Sequence, residues 1–238
     1  MKKRFFRLIS LGFMILFAAI MAAGCTPSGK AGSDGFIYHI SNIIGYCGDE
    51  TEITIPLEYN NVPIDEMGIG PKKFLSALHL KKITIQGNIV KLRGFDFNGG
   101  VQRDSNDSSG FSYVWNEDGN RVKLQLEEIN VTEDNEHFMS IDGVVYGKGN
   151  EETVFFPPAK KSYTVPDHIE MIRGDWFRYN NDLVDIYIPS EKIISIGGGT
   201  YEKAKNIYVS SLLLTDYISG LPEQYKQYES LFKALPVS

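Results

Sequence analysis

The chain is expected to fold as a β-rich solenoid of short parallel strands wound into coils, with an inserted β-hairpin and a helical C-terminal cap. Three observations predict it. Two apolar residues flanking one middle residue return along the chain. They read Ile53-Thr54-Ile55, Ile83-Thr84-Ile85, Ile129-Asn130-Val131, Tyr163-Thr164-Val165, Ile186-Tyr187-Ile188 and Ile207-Tyr208-Val209. Aliphatic residues then follow at repeated offsets. The returns also come at intervals of tens of residues, which marks units that bury an apolar face only by stacking on neighbours.

The N-terminus is set aside first. Lys2, Lys3, Arg4 and Arg7 precede an apolar run from Leu8 to Ala23, and Ala22-Ala23-Gly24-Cys25 follows. The run is shorter than the roughly 20 residues of a spanning helix. The order of these parts resembles the lipobox of bacterial lipoproteins. It implies a signal peptide over 1–24, lipid attachment at Cys25 and an extracytoplasmic, membrane-anchored chain. Residues 25–34 are small and polar and read as a flexible tether.

Removing 1–24 takes four of the 24 basic residues and none of the 30 acidic ones, so the net charge moves from −6 to −10. That balance argues against nucleic acid as a partner. Two cysteines exclude a disulfide framework. Cys47 is expected to be buried as a small apolar residue.

The solenoid is expected over 35–210. From Ile85, interior residues follow at +4, +7 and +12: Ile89, Leu92 and Phe97. From Val165 the same offsets give Ile169, Ile172 and Phe177. From Ile188 the series is Ile193, Ile196 and Tyr201, one residue longer. Val165 to Ile188 spans 23 residues, Ile188 to Val209 spans 21, and Ile85 to Val131 spans 46, twice 23. These are lengths of a leucine-rich-repeat coil. Val131 to Val165 is 34, and the excess of 11 reads as a hairpin near 143–156, with a Gly/Asn turn at 147–150. A polar loop at 104–110 precedes a second hairpin or irregular coil formed by 111–115 and 121–126. Residues 211–238 show near-helical spacing and read as the cap.

Gly35-Phe36-Ile37-Tyr38, the stretch from Gly45 to Pro56, Phe138 to Tyr146, and Ile207-Tyr208-Val209 with Tyr217 together resemble BspA-like leucine-rich-repeat surface proteins. Asn180 falls where that pattern often has cysteine or asparagine after the aromatic. The resemblance implies a right-handed α/β-type superhelix and a non-catalytic surface protein that mediates protein binding or adhesion. The partner would be an extracellular or envelope protein, or a glycan. The alternatives are a structural envelope-assembly subunit and a carbohydrate-binding accessory lipoprotein.

Catalytic and metal signatures are weak. His39, His79, His137 and His168 show no ligand spacing. Gly197-Gly198-Gly199-Thr200 lacks the lysine of a phosphate loop. Glu133-Asp134-Asn135-Glu136 lacks the ligand order of a calcium loop and reads as an exposed acidic turn. No cofactor or metal is expected. The better candidates are the middle residues of the strand motif, which alternation points outward. Thr164, Tyr187 and Tyr208 should lie side by side, with Asn130 near one end. They form the candidate binding face, since tyrosine offers rigid contact area and a hydroxyl.

Overall fold

The computed structural model describes residues 30–68, 79–93, 113–115, 121–149, 153–177, 180 and 182–236. The expected leader at 1–24, Cys25, Phe97 and the expected loop at 104–110 lie outside the described residues.

An antiparallel meander opens the fold: β1 (Lys30–Ala31), β2 (Phe36–His39) and β3 (Asn42–Tyr46). The first described strand therefore lies within the expected tether. Asp34 is the reason, since its carboxylate accepts from Phe36 N at 3.1 Å and from the Tyr38 hydroxyl at 2.5 Å. Cys47, next to β3, is half-buried and not a core residue.

The coils follow. β4 (Glu52–Thr54) leads through a short hairpin, β5 (Glu58–Tyr59) and β6 (Val62–Pro63), to β7 (Glu66–Gly68). The next coil runs from β8 (Lys82–Ile85) to β9 (Lys91–Arg93). β10 (Tyr113–Trp115) and β11 (Arg121–Lys123) pair as the second hairpin, and β12 (Glu128–Val131) begins the third coil. β4, β8 and β12 form one parallel sheet, with Ile53, Ile83 and Ile129 aligned. β3, β7 and β9 form a second parallel run. The chain alternates between these two sheets and advances one strand each time. Isoleucine suits this geometry because its branched side chain packs well on a pleated surface.

β13 (Phe138–Ile141), β14 (Val144–Gly147) and β15 (Thr153–Phe155) then form an antiparallel sheet. The hairpin expected at 143–156 is thus three-stranded. Asp142-Gly143 joins β13 to β14 with positive φ at both residues, 50° and 73°. This is the two-residue turn that matches strand twist. The sheet docks on β12: Ile129 N donates to Gly143 O at 2.9 Å, and Val131 N to Ser140 Oγ at 2.8 Å.

After this sheet the coil resumes: β16 (Ser162–Thr164), β17 (Met171–Ile172), β18 (Asp185–Ile188), β19 (Ser195–Ile196), α1 (Gly198–Lys203) and β20 (Asn206–Val209). A 3₁₀ turn covers Gly174–Phe177. The C-terminal segment adds α2 (Leu214–Ser219) and a 3₁₀ stretch over Glu223–Leu231. It does not end as a helical cap. Phe232–Ala234 forms β21, parallel to β20, and lengthens the sheet to four strands, β16-β18-β20-β21. Phe232 is apolar and buries against the core, while Lys233 and Ala234 stay exposed, so the segment docks as an edge strand through Phe232 and the parallel register with β20.

The interior offsets hold with one correction. Ile89, Ile169, Ile172, Phe177 and Tyr201 are buried. Ile193 is 56% exposed, and Ile194 takes the interior place, its N–H donating to the Tyr217 hydroxyl at 2.9 Å. The acidic turn at 133–136 also differs from expectation, because Asn135 points inward and is fully buried.

The three-stranded sheet is apolar on both faces and separates two cores. Val145 and Phe155 face the first core, with Ile53, Ile83 and Ile129. Val144, Tyr146 and Phe156 face the second, with Tyr163, Ile186 and Ile207. Alternation along β14 makes this possible, since neighbouring side chains point to opposite faces. At the second boundary the Tyr146 and Tyr163 hydroxyls meet at 3.0 Å. Lys160, only 8% exposed, pairs with Asp142 at 3.1 Å.

Candidate functional site

Each strand of the four-stranded sheet places its apolar residues inward. Tyr163, Ile186, Ile207 and Phe232 are aligned and buried, as are Val165, Ile188 and Val209. The residues between them face outward in one row: Thr164, Tyr187, Tyr208 and Lys233. A second outward row, two residues earlier, holds Ser162, Asp185 and Asn206.

The rows are bonded to one another. The Tyr187 and Tyr208 rings stack with centroids 4.9 Å apart and planes within 8°. In-register parallel strands hold such rings at strand spacing, close to the optimum for aromatic pairs. Asn206 Nδ2 donates to Asp185 Oδ1 at 2.6 Å, and the Tyr187 hydroxyl donates to Asp185 Oδ2 at 3.4 Å. Lys233 Nζ donates to Asn206 Oδ1. Partial desolvation raises the Tyr187 hydroxyl above its usual pKa, and Asp185 and Tyr208 add to this.

The structure brings Thr164, Tyr187 and Tyr208 together. It does not bring Asn130 to them. Asn130 lies in the first sheet, aligned with Thr84 and Thr54, and its amide reaches Glu128 Oε2 at 3.4 Å. Glu52, Lys82 and Glu128 form the row beside it, with Lys82 and Glu128 3.8 Å apart. The physical reason is the three-stranded sheet, which stands between β12 and β16 and breaks the register.

Sequence reasoning missed Asp185, Asn206 and Lys233. The first two had a legible signal, because Asp185-Ile186-Tyr187-Ile188 and Asn206-Ile207-Tyr208-Val209 share one pattern. Lys233 had none, since its strand follows a helix-like stretch. Cys25 lies outside the described residues.

Other motifs acquire structural roles. Gly197-Gly198-Gly199 lies where coils pack closely: a Cβ on Gly174 would meet Gly199 N at 2.6 Å. His168 stands edge-on to Tyr146, with centroids 5.5 Å apart. Among the described residues, no three His, Cys, Asp or Glu side chains are grouped to hold a metal. Among them, too, no helix is long and apolar enough to cross a membrane.

No family model and no curated protein matches the chain. Solved structures give three likenesses. The pneumococcal vaccine antigen PcpA is 17% identical over 63% of this chain, with a TM-score of 0.33, and this chain covers 28% of it. A T. pallidum leucine-rich-repeat protein is 13% identical, covering 76% of this chain and 71% of that one, again at 0.33. A leucine-rich-repeat protein from Eubacterium ventriosum is 17% identical, covering 75% and 68%, at 0.24. At these TM-scores the likenesses decide neither fold nor function. The repeat architecture rests on the parallel registers and the alternation between sheets.

Proposed function

We propose that this chain is a lipid-anchored, extracytoplasmic leucine-rich-repeat protein that docks a protein partner on the outward face of its four-stranded sheet and performs no catalysis. One observation carries the docking reading: Tyr187 and Tyr208 stacked in register on that face. Rigid aromatic groups on a repeat scaffold contribute contact area at small entropic cost. The anchor reading rests on the basic leader, the apolar run and Cys25. BspA-like adhesion is the finer form of the same proposal.

A protein partner suits this face better than a glycan. The rings pack on one another, so each offers at most one ring face, flanked by the charges of Asp185 and Lys233, a mixed surface that protein side chains match. Envelope and extracellular protein fractions should be passed over the immobilised chain. A protein captured by wild type and lost with Tyr187→Ala/Tyr208→Ala, with the fold retained by circular dichroism, supports the reading. Equal capture by both forms removes it. Palmitate labelling that survives Cys25→Ala would exclude attachment at that residue.

A further inference from the structure

We infer that the docking face carries a site for one basic side chain of the partner, seated over Thr164 against Tyr187 and Asp185. This inference rests on the docking reading above. It begins from the two ends of the outward row. At one end Lys233 is aligned with Tyr208, and its ammonium reaches Asn206, two residues back on the neighbouring strand. The strand register sets Lys233 and Tyr187 on opposite sides of Tyr208, and the Tyr208 ring stacks on Tyr187.

The other end repeats the arrangement with different occupancy. The inner face of Tyr187 packs on Tyr208, and its outer face looks over Thr164, whose short side chain cannot cover it. The polar acceptor two residues back is Asp185, a carboxylate in place of the amide of Asn206. Among the described residues, no Lys or Arg nitrogen lies within ion-pair distance of Asp185. The chain thus supplies its own cation to the amide end of the row and leaves the carboxylate end to a partner. Charge complementarity selects a cation there. A ring face attracts a cation through its quadrupole, and a carboxylate adds a charged acceptor. Arginine fits best, because a planar guanidinium can lie flat on the ring while an N–H reaches Asp185.

The test uses acetyl-Gly-Arg-Gly amide and its citrulline analogue, which keeps the shape and loses the charge. Each is titrated into the isotopically labelled full chain and followed at the Thr164 and Tyr187 amides. The arginine peptide should shift both amides, and the citrulline peptide neither. Asp185→Asn and Tyr187→Leu should each weaken the response about threefold, the size of one exposed charge or cation–π contact. Equal shifts from the two peptides would overturn the site, as would a response within error of wild type in both variants. The docking reading fails separately: an arginine response without any protein captured keeps the site and removes that reading. Protein capture lost with the tyrosine pair but unaffected by Asp185→Asn, with no arginine response, does the reverse.

Discussion

Asn135 and Asn180 make the same four hydrogen bonds in two different coils. Each amide donates to two carbonyls three residues apart in the preceding chain. Asn135 Nδ2 reaches Gln86 O at 2.8 Å and Ile89 O at 2.9 Å. Asn180 Nδ2 reaches Pro157 O at 2.8 Å and Lys160 O at 2.7 Å. Each Oδ1 accepts from the N–H groups two and three residues ahead: His137 and Phe138, then Asp182 and Leu183. Two donors and two acceptor sites are all that a primary amide has. Removing one such side chain leaves four backbone groups without that partner. Asn180→Ala should therefore destabilise the protein by about 2–4 kcal/mol in urea denaturation. Asn180→Asp should fare no better, because a carboxylate cannot donate to Pro157 O and Lys160 O. A loss below about 0.5 kcal/mol for both would show that these bonds contribute little net stability.

The partition between the cores predicts separable stability. Asn135 lies on the first-core side and Asn180 on the second, with the three-stranded sheet between them. Cooperative units often follow such contiguous cores. Asn135→Ala should speed hydrogen exchange mainly in β4, β8 and β12, about tenfold, and Asn180→Ala mainly in β16, β18 and β20. Uniform acceleration of both halves by either variant would indicate one cooperative unit.

Alkaline pH should weaken the boundary at the second core. Burial lifts the Tyr146 hydroxyl from 10.0 to about 12, and it raises Tyr163 as well. The neutral phenol is the form favoured in the folded state. Its stabilising effect is complete below pH 10, where both folded and unfolded chains are protonated. It declines above the unfolded pKa and is gone once pH passes the folded pKa near 12. The urea midpoint should hold to pH 9 and then fall. Tyr163→Phe should lower stability by about 1 kcal/mol at neutral pH and flatten the alkaline decline. A wild-type midpoint constant through pH 11 would contradict this account.

Close packing of coils should make Gly174 intolerant of a side chain. Its added Cβ would lie 2.6 Å from Gly199 N and 2.8 Å from Gly199 Cα. Both are backbone atoms, so neither can yield by changing rotamer. Gly174→Ala should cost about 2 kcal/mol or more, read from the urea midpoint. A neutral effect would mean that α1 and the preceding 3₁₀ turn can slide apart.

Much of the architecture was legible because it depends on local periodicity. Ile53-Thr54-Ile55 and its later counterparts announced which residues face inward, since alternation is intrinsic to a strand. The offsets after Ile85 and Val165 located Ile89, Ile169, Ile172 and Phe177 by the same logic of coil length. Three features escaped it. Asn135 occupies the +4 place that Ile89 and Ile169 hold in other coils, and its polarity made the turn look solvent-exposed. Ile193 and Ile194 are adjacent apolar residues, and the structure turns Ile194 inward, its N–H donating to the Tyr217 hydroxyl. Lys233 belongs to a strand too short to have a period of its own.

The sequence by itself determined the inward and outward residues of each coil strand, including Thr164, Tyr187 and Tyr208. Those choices follow from side-chain alternation and burial within a few residues. Only the tertiary structure decided which further outward residues become their neighbours. Register across these strands is set by contacts between residues 21 to 25 apart in the chain. Thus Asn130 was separated from the tyrosines by an inserted sheet, while Lys233 was carried to them by a returning C-terminal strand.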